Sequence, residues 1–247
     1  MSTTTPSTSA PHHASKTIKT GLTILVWGFV IFLGLRFYFK DAFPYFNVSK
    51  ETYGSLFWPR WGWLLMHLFG GSLALLMGPL QFWWGLRKKA LHIHRWAGRL
   101  YLTGILIGVS ASFYLAATSP VGWAWSVSLS MLGVAWLVTS GMAYLSIRSR
   151  RIQVHKEWMI HSYVVTFSFV SFRVLVDLPF VVDLGSFPER APTMVWLSWV
   201  VPLLVAEVIL QWKRTVGTGK GELRGKPTHL PSSRPAVVRA GNEAGGG

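Results

Sequence analysis

Long apolar runs constrain this chain more than any other feature. Each of six runs reaches the length of about 20 residues that an α-helix needs to cross the hydrocarbon core of a bilayer. The runs lie at about 21–39, 61–84, 97–117, 121–147, 158–180 and 193–212. They lack the alternation of barrel strands, so helices must satisfy the backbone groups in lipid. The sequence predicts an all-α integral membrane protein over 21–215, with six transmembrane helices around a central four-helix bundle.

Composition excludes several other classes of protein. Charged residues make up only 13% of the 247 residues, whereas a soluble domain usually carries about 25%. The chain has no cysteine, which excludes disulfides and Cys-ligated metal sites and leaves eight histidines as the strong nitrogen ligands. The net charge of +15 does not indicate nucleic-acid binding, because the basic residues sit between the apolar runs. We expect the lipid bilayer as partner, and no nucleic acid.

The basic residues also predict an orientation. When Arg99 is counted with the link that it follows, the even-numbered links between spans and the two tails carry 18 Lys and Arg residues, and the odd-numbered links carry five. Because Lys- and Arg-rich loops stay in the cytoplasm, we expect a multi-pass protein of the cell (inner) membrane with both termini cytoplasmic. The first run is expected to remain an uncleaved span. Residues 1–20, rich in Ser, Thr and Pro, and the basic residues 216–247 are predicted to be disordered tails.

One group of ionisable side chains lies toward the predicted outer side of the membrane. His67 lies within the second span, and Arg173 and Asp177 are spaced i, i+4 near the outer end of the fifth. Such groups are functional candidates at membrane depth, and Arg173 could hold a haem propionate or a quinone oxygen. The alternatives are a structural Arg173–Asp177 ion pair and a neutral His67 bonded to the next helix.

A second group lies toward the predicted inner side, and it contains His94, His155, His161 and Glu207. Two histidines on neighbouring helices can hold a haem iron between them, which makes His94 and His155 candidate iron ligands. His155 and His161 are six residues apart on one helix, so at most one of them faces a given iron. The alternatives are histidines that contact lipid phosphate, and a Glu207 that joins the nearby basic residues.

Two further features concern helix geometry. The segment GPLQF at 78–82 breaks the second span, since Pro79 removes a backbone hydrogen bond and kinks the helix. Gln81 is placed to satisfy the freed carbonyls or to reach a ligand in a polar pocket. Gly104 and Gly108 form a GxxxG pattern on the third span, which predicts close packing of two helices.

The order of motifs resembles a family catalogued as domain of unknown function 2306 (DUF2306), a group of predicted membrane proteins. The resemblance covers about 60–180 and rests on the deep His67, GPLQF at 78–82, HRWAGRLY at 94–101 and HKEWM at 155–159. The family's function is uncharacterised, so this resemblance implies topology rather than chemistry. HRWAG at 94–98 is also distantly similar to the helix start of ascorbate-reducible transmembrane b-type cytochromes. Those proteins hold two haems, but the fourth span here lacks histidine, so the resemblance does not extend to two bis-histidine haems and leaves room for one.

The leading functional hypothesis is therefore a membrane electron-transfer component that holds one b-type haem between His94 and a histidine of the fifth span, with a quinone or another redox partner. His67 would then serve a quinone or proton site on the outer side. If the chain is an enzyme, it is then a membrane oxidoreductase. Two alternatives stay open: a small-molecule or proton transporter that uses the buried ionisable residues, and an accessory or assembly protein without its own chemistry. The sequence has no P-loop, HExxH or zinc-deaminase pattern, which argues against hydrolysis and phosphoryl transfer.

Overall fold

The computed structural model describes residues 11–86 and 90–224, and no strand occurs in those residues. A π-helical turn at Tyr38–Ala42 and two 3₁₀ turns at Phe43–Phe46 and Trp58–Arg60 connect the early helices. The α-helices are α1 (Pro11–Phe37), α2 (Lys50–Phe57), α3 (Trp61–Leu86), α4 (Leu91–Ala117), α5 (Trp123–Arg148), α6 (Ile152–Val176), α7 (Pro179–Val182) and α8 (Phe187–Arg224).

Five segments of the described residues are long and apolar enough to cross a membrane. They are Lys50–Gly85, Leu91–Ala117, Trp123–Arg148, Ile152–Val176 and Phe187–Val216. This confirms an all-α fold for the part of the chain that the structure describes, with several membrane-length helices. The remaining predicted span, 21–39, lies in α1 up to Phe37, ends in the π-helical turn and is not among the five. Several side chains of α1 fall outside the described residues, so six spans stay a prediction.

Helix extends into both segments that the sequence predicts to be disordered tails. α1 begins at Pro11 and α8 continues to Arg224. Once an apolar helix has formed, each further residue adds a backbone hydrogen bond, so helix propagates into polar flanks at little cost. Residues 1–10 and 225–247 of the predicted tails lie outside the described residues.

The chain divides into two compact units, Met1–Val208 and Ile209–Gly247. In the second unit, residues 209–224 are helical, and the Thr215 hydroxyl donates to the Gln211 carbonyl at 3.1 Å. All the sites described below belong to the first unit.

The buried core of the first unit takes residues from five helices, and a central bundle of four helices stays a prediction. Representative fully buried side chains are Ala74 of α3, Tyr101 of α4, Trp136 of α5, Val165 of α6 and Val195 of α8. α8 joins the core because its buried residues follow a helical period of three and four, which puts them on one face.

α3 and α4 cross with their backbones in close contact. A Cβ atom added at Gly70 would lie 2.5 Å from both the Gly104 oxygen and the Gly108 nitrogen. Only glycine allows this approach, since the obstructing atoms are backbone and cannot rotate away. The close helix packing predicted from Gly104 and Gly108 is confirmed, and Gly70 is its partner.

A buried network of hydrogen bonds joins α4, α5 and α6. The Tyr101 hydroxyl lies 2.8 Å from the Ser162 hydroxyl and 2.9 Å from the Thr166 hydroxyl. The indole of Trp136 donates to the same Thr166 oxygen at 2.8 Å. Each of these groups would be costly to bury alone, so the network fixes how the three helices face one another.

Candidate functional site

Two histidines from neighbouring helices meet near the first turns of α4 and α6. The ring centroids of His94 and His155 lie 6.5 Å apart, and the ring planes are nearly perpendicular at 88°. Both side chains are half-buried. The pair His94–His155 and its neighbours on α3 are called the histidine end below.

Backbone carbonyls of adjacent helices hold both rings in place. The Nδ1 atom of His94 lies 3.2 Å from the Gln81 carbonyl oxygen, and that of His155 lies 2.8 Å from the Ala143 carbonyl oxygen. A carbonyl can only accept, so each Nδ1 must carry the proton. In the neutral ring the lone pair is then on Nε2, which is the form of histidine that binds a metal.

Gln81 and two glycines complete the histidine end. The Gln81 amide donates to the His94 carbonyl at 3.2 Å, so the two residues bond reciprocally between α3 and α4. A Cβ at Gly98 would lie 2.7 Å from the Gln81 amide nitrogen, and one at Gly85 would lie 3.3 Å from the His94 ring. The HRWAG segment therefore needs its glycine to make room for a side chain of α3.

His161 and Glu207 form a separate pair. The Nε2 atom of His161 lies 3.1 Å from a Glu207 carboxylate oxygen, and its ring packs against Trp158 at 5.4 Å between centroids. The Nδ1 atom is buried and has no hydrogen-bond partner among the described residues. Of the two histidines proposed for α6, the structure thus brings His155 to His94 and places His161 against α8.

The other predicted residues lie at the opposite end of these helices. His155 and Arg173 are both on α6, separated by roughly 27 Å of helix. Ser112, which lines the same cavity as Arg173, lies roughly 27 Å along α4 from His94. Neither Arg173 nor His67 can therefore contact a group held between His94 and His155.

A cavity of about 210 Å³ occupies this opposite end, called the cavity end below. His67 and Arg173 line it, together with two residues of the first link, Asp41 and Arg60. Its walls are mainly apolar and aromatic, and they include Trp125, Trp136, Phe169 and Phe172. Such a cavity, apolar with a few convergent polar groups, has the character of a small-molecule site.

The polar residues of the cavity end differ in how they are satisfied. The buried Arg60 donates to the Thr118 carbonyl at 2.8 Å and the Leu56 carbonyl at 2.5 Å, which is a structural role. Arg173 makes no hydrogen bond or ion pair within the described part of the chain, and its guanidinium carbon lies 5.9 Å from the Phe172 ring centroid. One carboxylate oxygen of Asp41 is buried without any hydrogen-bond partner in the same part of the chain.

The structure identifies a partner for His67, which the sequence leaves open, and a partner for Asp177 that differs from the predicted one. The Nδ1 atom of His67 lies 2.9 Å from the Gly108 carbonyl, which again leaves the lone pair on Nε2. Asp177 does not pair with Arg173, although the structure describes both residues; its carboxylate lies 3.4 Å from the Lys40 ammonium. α6 ends at Val176, so the i, i+4 geometry on which the predicted pair depends does not extend to Asp177.

Sequence reasoning misses Asp41 and the Tyr101 network. A signal exists for both. Asp41 is the first acidic residue of the chain and lies two residues after the apolar, aromatic run that ends at Phe39. Ser162 and Thr166 are spaced i, i+4, which puts two hydroxyls on one face of a membrane helix.

Within residues 11–86 and 90–224, no three His, Asp or Glu side chains come together as a metal site. A protein-only tetrahedral centre therefore has no candidate there. A haem needs fewer protein ligands, because its macrocycle supplies four nitrogens and the protein adds one or two axial groups.

Fold and site together define a polytopic α-helical membrane protein with polar residues gathered at two ends of a helix bundle. The sequence over residues 64–210 matches the model of the family described as "Predicted membrane protein (DUF2306)", and the chain belongs to that family. No curated protein and no solved structure shows significant similarity to the chain, so the resemblance to b-type cytochromes has no support from relatives.

Proposed function

We propose that the chain is a membrane electron-transfer protein that binds one b-type haem, with His94 and His155 as the axial ligands. The observation that carries this proposal is the His94–His155 pair, whose ring centroids are 6.5 Å apart. Two metal–nitrogen bonds of about 2 Å each, plus the distance from each nitrogen to its ring centre, come close to that separation.

The hydrogen bonds of the two rings fit the same role. Histidines that bind a metal commonly donate their other ring N–H to a backbone carbonyl, which fixes the tautomer and the ring orientation. His94 does so to Gln81, and His155 does so to Ala143. When bound, the haem would supply one-electron chemistry, with a potential tuned by its ligands and by burial.

The setting of the pair suggests its redox partners. His94 and His155 lie near the first turns of membrane-length helices, and not at their centres. A haem held there would lie close to the membrane surface, within reach of a quinone headgroup or a redox protein. From the bias in Lys and Arg residues, we propose that the histidine end faces the cytoplasmic side of a cell (inner) membrane and that both termini are in the cytoplasm. Reporter fusions at residue 120 and at the C-terminus test that orientation, and only the C-terminal reporter is expected to be cytoplasmic.

Absorption spectra test the haem directly. The full chain is purified in detergent, supplied with haemin, and measured before and after reduction with dithionite. We expect the Soret and α bands of a six-coordinate b-type haem in the wild type, and loss of the six-coordinate spectrum in His94→Ala and in His155→Ala. His92→Ala and His161→Ala are matched controls, because His92 bonds to Trp96 and His161 to Glu207, and both should keep the spectrum.

A rescue variant separates ligation from folding. In His155→Gly, added imidazole should restore the six-coordinate spectrum, because it replaces the missing ligand. Two results contradict the proposal: a wild-type protein that is folded by thermal melting but takes up no haem, or haem spectra that His94→Ala and His155→Ala leave unchanged. If the folded wild type takes up no haem, the two histidines only stabilise the packing of neighbouring helices, as expected for an accessory protein.

A further inference from the structure

The cavity end has a shape and a set of polar atoms that the haem proposal does not use. We infer that it binds a hydroxylated single-ring aromatic molecule of the phenol or quinol class, with one oxygen at Arg173 and a hydroxyl at Asp41. The two sites are at opposite ends of α4 and α6, so this inference does not depend on haem binding.

The volume sets the size of the ligand. An apolar cavity of about 150 Å³ is enough to hold benzene. The cavity here is about 210 Å³, which leaves room for one ring and two small substituents.

The walls set the character of the ring. Trp125, Trp136, Phe169 and Phe172 line the cavity, and Trp136 already packs against Phe169 at 5.0 Å between centroids. Aromatic side chains prefer edge-to-face or offset contacts with another ring, which adds to the burial of apolar area. A flat aromatic ligand uses these walls better than an aliphatic one of equal volume.

The polar atoms set the substituents. Arg173 carries donors and a charge and has no hydrogen-bond or ion-pair partner in the described part of the chain, so it can donate to an acceptor oxygen of a ligand. The buried oxygen of Asp41 lacks a donor, and the Nε2 atom of His67 has a lone pair, so both can accept from a ligand N–H or O–H. A hydroxylated ring offers both kinds of group. A buried, unsatisfied carboxylate oxygen is otherwise costly, which is why we assign it to a ligand.

Two sources could supply this chemistry, and the probes distinguish them. Hydroquinone tests the shared ring. A quinol with a decyl tail represents a membrane quinol headgroup, and 4-hydroxybenzoate represents a free phenolic acid. Calorimetric titration of the purified full chain under reducing conditions should show hydroquinone binding at least about tenfold more tightly than benzene, because benzene lacks the polar substituents. Tighter binding of the tailed quinol indicates a lipid-soluble ligand, and tighter binding of 4-hydroxybenzoate indicates a free acid.

Variants locate the site. Arg173→Gln and Asp41→Asn should each weaken hydroquinone binding at least about tenfold. Ser112→Leu keeps every charge but fills the cavity, and should abolish binding. Arg99→Gln is the matched control, since Arg99 is exposed and packs on Trp96 outside the cavity. The inference is overturned if benzene binds as tightly as hydroquinone, or if variants that melt like the wild type keep its affinity. Neither result would alter the haem spectrum, so the two proposals fail separately.

Discussion

The histidine end and the cavity end share helices α3 to α6, but they differ in how completely their polar groups are satisfied. At the histidine end, Gln81, His94 and His155 all have backbone partners on a neighbouring helix. At the cavity end, one oxygen of Asp41 is buried without a partner in the described residues, beside a cavity of about 210 Å³. The histidine end therefore holds two imidazole rings in fixed orientations, whereas the cavity end leaves polar atoms without a hydrogen-bond partner from the described residues. A rigid pair suits a fixed cofactor, whereas an unsatisfied cavity suits a ligand that exchanges.

The crossing of α3 and α4 supports both ends, so a substitution that disrupts it should lower stability more than any other change considered below. Gly70→Ala would put a Cβ atom 2.5 Å from backbone atoms of Gly104 and Gly108. We expect a loss of about 2–3 kcal/mol in the free energy of unfolding, because the helices must separate. Denaturant titration in mixed micelles measures this quantity.

Gly71→Ala is the control for that experiment. A Cβ at Gly71 meets nothing within 4 Å, and alanine is the better helix former by up to about 1 kcal/mol. Its stability should equal or exceed that of the wild type. Equal stability of Gly70→Ala and Gly71→Ala would contradict the close backbone contact between α3 and α4 at Gly70.

The network between the two ends gives the next effect. Thr166→Val removes the oxygen that accepts from Trp136 and bonds to Tyr101, and leaves a buried indole N–H without its acceptor. We expect a loss of about 1–2 kcal/mol in unfolding free energy, at the upper end of membrane hydrogen bonds. Thr139→Val is the matched control, because the Thr139 hydroxyl donates only to carbonyls of its own helix. Equal losses in the two variants would show that the network does not tie the helices together.

The smallest effect is expected at the ion pair near the cavity end. Lys40 and Asp177 lie 3.4 Å apart with side chains 56% and 46% exposed, so solvent screens the pair. Lys40→Gln should change the free energy of unfolding by at most about 0.5 kcal/mol, and it should leave hydroquinone affinity unchanged. A loss of affinity as large as that in Arg173→Gln would mean that this pair, and not Arg173, shapes the cavity.

The membrane helices are the part of the fold that a sequence can predict well. α3, α4, α5 and α6 contain most of the apolar runs predicted for them, because hydrophobic length is a property of each segment alone. Helix starts are less predictable. α4 begins at Leu91, ahead of its apolar run, because the residues before the run extend the same α-helix through further backbone hydrogen bonds.

Partners between helices are harder to predict, because they depend on rotation and crossing angle. The sequence places both His155 and His161 near His94, and only the packing of α6 decides that His155 faces it while His161 turns toward Glu207. Asp177 illustrates the same point: its partner, Lys40, is 137 residues away along the chain. The cavity itself is a property of several helices together, so no single segment could reveal it.

The number of haems bound per chain tests the central claim most directly. The histidine end offers one pair of ligands, whereas His67 at the cavity end bonds to Gly108 and faces no second histidine ring within the described residues. Quantifying extracted haem against protein concentration, after haemin is added and the excess removed, should give about one haem per wild-type chain. The same measurement should give about none in a folded chain that carries both His94→Ala and His155→Ala. A wild-type ratio near zero, or an unchanged ratio in the double variant, would contradict the account.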